Sequence, residues 1–361
     1  MAKDEGVIMK RRSFLKVAGG VAGGCIVSTG VSSCASGSYS GGQTKTAGRL
    51  PRRELGRTGR RVSIVGFPGL ALVHYDQDRC TAAIHDAFER GVNYFDVAPA
   101  YGRGDAERKM GIGLQGIDRS RIFLACKTKM RDKEGARKEL ETSLERLKTD
   151  HFDLYQMHHI VTPDQVKQAL GPGGAIETFL EAKEEGKVRY FGFSAHTTKG
   201  ALEAMNGFRF DTVMFPINFI EYFQMGFGKP ILELAKKQGA AVLAIKPMCG
   251  GSWAEGAERT RRNWYRPLED ERAIDLALRF TLSQKPVAAG IPPAFLDLLD
   301  KAIPVGQSYR PITKAETQEL REMSETRLSL FREQEEAVAS GRPWQPLYPD
   351  SPHECCPCAV V

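Results

Sequence analysis

Tyr94-Phe95-Asp96-Val97-Ala98, then Asp105–Leu114, then Ile122-Phe123-Leu124-Ala125-Cys126-Lys127-Thr128 is the stretch whose reading decides the fold. A short apolar run predicts a strand, the longer amphipathic run after it a helix, and the next apolar run a second strand. Two strands joined through a helix run parallel. The same unit repeats outward in both directions. Upstream lie a strand over Val62–Pro68 and a helix over Gln77–Arg90, ended by Gly91. Downstream, the helix Glu134–Lys148 places Leu140, Leu144 and Leu147 on one face, and the strand Phe152–His159 follows. The pattern continues with helix Ile176–Glu185, strand Val188–Ser194, helix Lys199–Met205, strand Thr212–Asn218 and helix Pro230–Lys237. It closes with strand Ala241–Met248, helix Ala273–Gln284, strand Val287–Ile291 and helix Ala294–Ala302. Eight strands and eight helices in strict alternation predict an α/β protein, a (β/α)8 TIM barrel. A doubly wound sheet is the competitor. It usually carries a Gly-rich phosphate turn after its first strand, and Gly66-Phe67-Pro68-Gly69 has not that spacing. The barrel is assigned to residues 49–305. Residues 306–361 form a C-terminal extension, with one helix expected over residues 313–334.

Charge is unevenly placed. Of the formal net charge of +7, residues 1–48 carry +4, so the remainder is only mildly basic and gives no argument for nucleic acid. Met9-Lys10-Arg11-Arg12-Ser13-Phe14-Leu15-Lys16 resembles a twin-arginine export signal. A soft, Gly-rich apolar run from Val17 to Val31 follows, as in a signal segment. Val31-Ser32-Ser33-Cys34 resembles a lipobox, with Cys34 as the lipidated residue. Residues 1–34 are thus expected to be a leader read by the twin-arginine machinery, and residues 35–48 a Gly/Ser-rich tether. Export to the periplasm or to a membrane anchor outside the cytoplasm is the expectation. A disordered basic N-terminus on a cytoplasmic protein is the alternative.

In a barrel of this kind the site lies at the C-terminal ends of the strands. Reading those ends gives Asp96, Lys127 and His158, with Tyr101 in the loop five residues past Asp96. The four make a coherent set. A free phenol, with a pKa near 10, is a poor acid at neutral pH, and the Lys127 ammonium is expected to lower it. A buried Lys127 needs a counter-charge, which Asp96 supplies. His158 can hydrogen-bond and orient a substrate carbonyl. A proton donor beside a carbonyl-polarising group is what hydride delivery to carbon requires, and the hydride must come from a cofactor.

Asn93-Tyr94-Phe95-Asp96-Val97-Ala98-Pro99-Ala100-Tyr101-Gly102, continuing through Ala106-Glu107 to Gly111, closely resembles the signature of the aldo-keto reductase family. Leu124–Thr128, Asp153–His158, Val188–Ser194 and Ala289–Pro292 support it in the same order. The resemblance implies a catalytic tetrad of Asp96, Tyr101, Lys127 and His158, with Tyr101 as general acid. It also implies NADP or NAD as cofactor and a small carbonyl or alcohol substrate. The cofactor contacts it implies are Gly66, Asp96, Ser194, Ala195, Met214, Lys246, Pro247, Met248, Ile291 and Pro292. Several depart from the family pattern. Ala195 stands where Asn is usual, with His196 next, and Met214 where Gln is usual, with Asn218 four residues on. Ala244-Ile245-Lys246-Pro247-Met248 replaces an aromatic segment and is similar to a branch that sometimes bears a C-terminal iron–sulfur region. Pro293–Asp297 has no basic residue for an adenosine phosphate.

Cys80, Cys126 and Cys249 are expected to be buried thiols. Cys355, Cys356 and Cys358 cluster with His353, more tightly spaced than the usual metal motif, and no metal site is assigned. Of His158 and His159, neighbours on a strand, one is expected to face the site and the other to pack outward. The loop Cys249–Arg272, with Trp253, Trp264 and Tyr265, is expected to form a wall or lid over the site. Two rivals to a reductase remain: a non-catalytic barrel serving as an exported binding or assembly module, and a metal-dependent barrel hydrolase.

Overall fold

The computed structural model describes residues 49–343. The leader motifs, Cys34 and the C-terminal cysteines lie outside them. A short antiparallel hairpin, β1 (Arg52–Glu54) and β2 (Arg61–Ser63), comes first. Eight parallel strands follow: β3 (Phe67–Pro68), β4 (Tyr94–Asp96), β5 (Phe123–Thr128), β6 (Phe152–Ile160), β7 (Val188–Ala195), β8 (Thr212–Pro216), β9 (Ala241–Ile245) and β10 (Val287–Ile291). Each pairs with the next in sequence. The sheet closes because Gly66 N–H donates to Gly290 C=O (3.1 Å) and Gly290 N–H to Ile64 C=O (2.9 Å). The expected barrel is therefore present.

Side-chain parity explains where the polar residues go. Along β4 and β5, Tyr94, Phe123 and Ala125 point into the apolar plug inside the barrel, together with Leu154, Leu243 and Ile291. Phe95, Leu124 and Cys126 point outward into the larger core between sheet and helices. The period of two then turns Asp96 and Lys127 inward at the upper rim. Two inner polar residues, Gln156 and His158, continue the parity of Leu154 on β6.

Most helices match the sequence pattern: α1 (Gln77–Glu89), α2 (Asp105–Gly113), α3 (Lys133–Leu147), α5 (Ala175–Glu184), α6 (Thr198–Gly207), α8 (Lys229–Gln238), α9 (Glu271–Ser283) and α10 (Leu296–Gln307). Two more were not foreseen. One is α4 (Pro163–Leu170), started by a Thr162–Gln165 capping box with proline in its first turn. The other is α7 (Phe219–Met225), whose start is capped by Asn218 Oδ1 accepting from Glu221 N–H at 3.1 Å. The stretch expected as one strand, Val62–Pro68, is two. Its first residues pair with β1, while Ile64–Gly66 turn to β10.

The single helix expected over residues 313–334 is also two, α11 (Lys314–Glu325) and α12 (Arg332–Ala339). The segment between them is held by other partners. Leu330 N–H and the Ser329 hydroxyl both donate to the buried Glu221 carboxylate at 2.6 Å, and Ser252 N–H donates to Leu328 C=O at 2.9 Å. Those bonds are incompatible with a continuous helical ladder. From there α12 reaches α6, where Glu335 accepts from Thr198 N–H at the helix start. Among the described residues no helix is long and apolar enough to cross a membrane.

Candidate active site

Asp96 ends β4, and the chain then enters a tight turn, Tyr101–Gly104, with positive φ at Gly102 and Arg103. This turn brings Tyr101 back over the rim. Lys127 rises from β5 beneath it. The Lys127 side chain is fully buried, and its ammonium is clasped by Asp96 Oδ1. It also donates to Val97 C=O at 3.1 Å and to the Tyr101 hydroxyl at 3.3 Å. The Asp96 carboxylate takes a further bond from the Tyr94 hydroxyl at 3.2 Å. The His158 ring meets the Tyr101 ring edge-on, with centroids 5.8 Å apart. Phenol, ammonium, carboxylate and imidazole thus converge at one rim, as the strand-end reading expects.

The electrostatics correct one expectation. Burial pushes the Tyr101 phenol up, to about 12, and the Lys127 ammonium only partly opposes it. Desolvation of the phenolate outweighs one neighbouring cation. Burial also works against the charge on Lys127, yet Asp96 and Tyr101 hold its pKa above the ordinary lysine value. Asp96 itself is raised, by burial first and against the pull of Lys127.

A cleft of about 80 Å³ opens over these groups. Asp96, Tyr101, His158, Ser194, Met214, Lys246, Ile291 and Pro292 all line it. The remaining expected contacts, Gly66, Ala195, Pro247 and Met248, do not. Gly66 lies lower in the barrel, where an added Cβ would meet Tyr94 Cδ1 at 2.8 Å, so its small size serves packing against the inner plug. Ala195 and Met248 are fully buried in the outer core, and Pro247 packs toward Gly290. Asn218 is not among the lining residues either; its side-chain oxygen caps α7.

His159 does not pack outward with the helices. A β-bulge between Met157 and Ile160 gives it a φ of 60° and sends its ring to His196, 4.6 Å away. Its N–H donates to Ser194 Oγ at 2.8 Å. Burial takes the His159 pKa down to about 3.

The loop after β9 does form a wall. Asn263, Trp264 and Tyr265 line the cleft. The loop's base is closed by Gly250 N–H to Arg266 C=O (2.7 Å) and Leu268 N–H to Met248 C=O (2.9 Å). Arg261 ties it to Asp297 (2.6 Å) and Glu269 (2.8 Å). Gly69, also in the lining, has no room for a side chain, because a Cβ there would collide with the Asp96 carbonyl oxygen. Asn263, Gly69 and the nearby Phe331 were not foreseen. Nothing in their local sequence marks them, since each acts through a contact with a distant element. Cys80, Cys126 and Cys249 are buried free thiols, as expected. Among the described residues no cluster of three or more His, Cys, Asp or Glu is arranged to hold a metal ion.

A family model described as the aldo/keto reductase family matches residues 69–316. L-galactose dehydrogenase of Arabidopsis thaliana is 33% identical over 160 residues, covering 40% of this chain and 49% of that protein. The oxidoreductase YrpG of Bacillus subtilis, named as uncharacterized, is 32% identical over 224 residues, 55% of this chain and 66% of that protein. The chain spans about half the length of such curated relatives as L-galactose dehydrogenase and YqkF of Bacillus subtilis. Among solved structures, the aldo-keto reductase AKR11C1 from Bacillus halodurans (holo form) superposes with a TM-score of 0.62 at 24% identity, over 76% of this chain and 96% of that one. That likeness is one of fold.

Proposed function

The chain belongs to the aldo/keto reductase family, and from that premise we propose that it is a nicotinamide-dependent oxidoreductase interconverting a carbonyl compound and its alcohol. The observation that carries this reading is the buried Lys127 ammonium joined at once to Asp96 and to the Tyr101 hydroxyl. With a pKa near 12, Tyr101 holds its proton at neutral pH and has it ready for the substrate oxygen. Lys127, fixed by Asp96, stabilises the phenolate left after the proton moves. His158 borders the same cleft and orients the carbonyl oxygen toward Tyr101.

The lining fits a nicotinamide chemically. Met214, Ile245 and Ile291 belong to or pack on the apolar plug and offer apolar surface, while Ser194 adds a hydroxyl. These residues, with Lys246 and Pro292, would hold NADP or NAD. The cofactor, when bound, supplies the hydride. Asn263, Trp264 and Tyr265 wall one side of this cleft.

The test is titration of the purified protein with NADH and NADPH by fluorescence, then turnover on a panel of aldehydes and ketones. No nucleotide binding at any accessible concentration refutes the proposal. One observation favours the rival, non-catalytic reading. Ala195 lies in the core and Met214 offers no hydrogen bond, so the two positions give a carboxamide no side-chain partner. An intact fold with no turnover on the panel would decide for it.

For residues 1–34 we propose export by the twin-arginine machinery with a lipid on Cys34. Replacing Arg11 and Arg12 by Lys should retain the protein in the cytoplasm. Cys34→Ala should release it from the membrane fraction.

A further inference from the structure

At the end of the barrel away from the cleft, the β1–β2 hairpin sits on the N-terminal ends of β4 and β5, where Asn93 Nδ2 donates to Arg61 C=O at 3.1 Å. Between them lies an open cavity of about 430 Å³. Its lining contains five arginines, Arg49, Arg52, Arg60, Arg61 and Arg121, and no acid. Other arginines at this end have partners. Arg119 and Arg189 both pair with Asp153, at 2.7 and 2.8 Å, and Arg57 pairs with Asp211 at 3.1 Å. Among the described residues, none of the five in the cavity forms an ion pair.

The contacts they do make leave their charge in place. Arg61 donates to Arg52 C=O at 2.9 Å, and the Arg121 guanidinium lies over the Phe88 ring, 4.7 Å from its centroid. Asp118, which feels the Arg121 charge, gives its Oδ1 to the Ser120 amide and hydroxyl. Glu54 stands opposite Arg61 in the hairpin register and makes no ion pair with it. Desolvation first, and then Arg49, Arg121 and Arg61, pull the Arg52 pKa below its ordinary value. A wall that gathers like charges at this density is complementary to an anion from outside. Guanidinium forks match phosphate oxygens two at a time.

Connectivity points to where such phosphates come from. Arg49 belongs to the lining, and residues 35–48 join it to Cys34. Gly/Ser-rich linkers of about 14 residues span roughly 20 Å on average. A lipid on Cys34 would keep this end of the barrel near a bilayer, with the cleft at the opposite end of the strands.

We propose that the arginine cavity docks the barrel on an anionic membrane surface by taking the phosphates of phospholipid headgroups. The membrane as their source rests on the Cys34 reading above, and the carbonyl chemistry plays no part in it.

The test uses the purified full-length chain with vesicles of phosphatidylcholine alone or mixed with phosphatidylglycerol. Sedimentation should show binding to the anionic vesicles that weakens with added salt. Those vesicles should slow hydrogen exchange at residues 59–61 and 120–121, which line the cavity. Arg52→Gln, Arg61→Gln and Arg121→Gln together should weaken binding about 100-fold, since each basic group near such a surface contributes about fivefold. The leader is basic too, so a control removes three exposed charges elsewhere, Arg79→Gln, Arg108→Gln and Lys314→Gln. The control should bind as the wild type does, and thermal midpoints show that both variants fold. An arginine variant within tenfold of the wild type, a control that loses as much, or unchanged exchange at the cavity overturns the proposal. Micromolar binding of inorganic phosphate with no preference for vesicles assigns the cavity to a soluble ligand and also overturns it. Variant-sensitive vesicle binding by a protein that never enters the membrane fraction of cells upholds the docking face and refutes the Cys34 anchor instead.

Discussion

Lys246→Met should make the protein more stable, by an amount that depends on pH. In the unfolded chain this lysine titrates at the ordinary 10.5, whereas in the folded protein burial brings it to about 7. At pH 6 it is charged in both states, and folding carries the charge out of water without a counter-ion. The difference of about 3.5 pK units corresponds to about 5 kcal/mol at about 1.4 kcal/mol per unit. The cation–π contacts with Trp264 and Phe331 return about 1–2 kcal/mol, so the net cost at pH 6 is about 3–4 kcal/mol. Between pH 7 and 10.5 the unfolded chain holds the proton and the folded protein does not. Stability of the wild type therefore rises with pH in that window. At pH 9 the remaining cost is about 2 kcal/mol. Methionine keeps the length of the apolar stem without the charge. Urea unfolding of both proteins at pH 6 and pH 9 should show the variant more stable at both, with a gap that narrows at the higher pH. A variant no more stable at pH 6, or a gap independent of pH, would show that the ammonium is not desolvated and that the reasoning is wrong.

Three other outcomes follow from the same geometry. Tyr101→Phe should lower kcat by about 100-fold or more while leaving the circular dichroism spectrum and nucleotide affinity unchanged. Lys127→Met leaves the Asp96 carboxylate buried without its partner and should cost about 3–5 kcal/mol of stability in chemical denaturation; adding Asp96→Asn should recover part of it. Glu316 closes the N-terminal cap of α11 and pairs with Arg279, which, with the Thr313 amide, holds its carboxyl below the usual carboxylate range. Glu316→Gln should therefore lower the thermal midpoint at pH 7, and the deficit should shrink as pH falls below 4.5, where the unfolded wild-type chain takes up a proton that the folded carboxylate still refuses, with kcat unaffected throughout.

The barrel and the rim positions of Asp96, Lys127 and His158 were legible in the sequence because both depend on local periodicity, whereas Tyr101, in a loop, was read from the family resemblance. Alternating strands and helices predict the closed sheet, and a parity of two turns Asp96, Lys127 and His158 to the same rim. What escaped depends on distant partners. The β6 bulge that redirects His159 leaves no mark in an apolar strand. The break before α12 follows from Glu221, about a hundred residues upstream, which takes the backbone and hydroxyl donors of Ser329 and Leu330. The shift of Tyr101 could not be signed from its neighbours alone, because burial competes with Lys127 and only the folded environment shows which prevails.

The seam of the barrel has a consequence for how the chain is made. Ile64 and Gly66 find their sheet partner only at Gly290, roughly 220 residues later. At ribosomal rates of about 5–20 residues per second, the first strand waits roughly 10–45 s for it. Until then the Ile64–Gly66 segment presents bare amides and carbonyls beside apolar side chains, the kind of edge that recruits other chains. Messages truncated before β10 should therefore yield insoluble product, not a smaller working enzyme, and slowing synthesis should favour aggregation over yield.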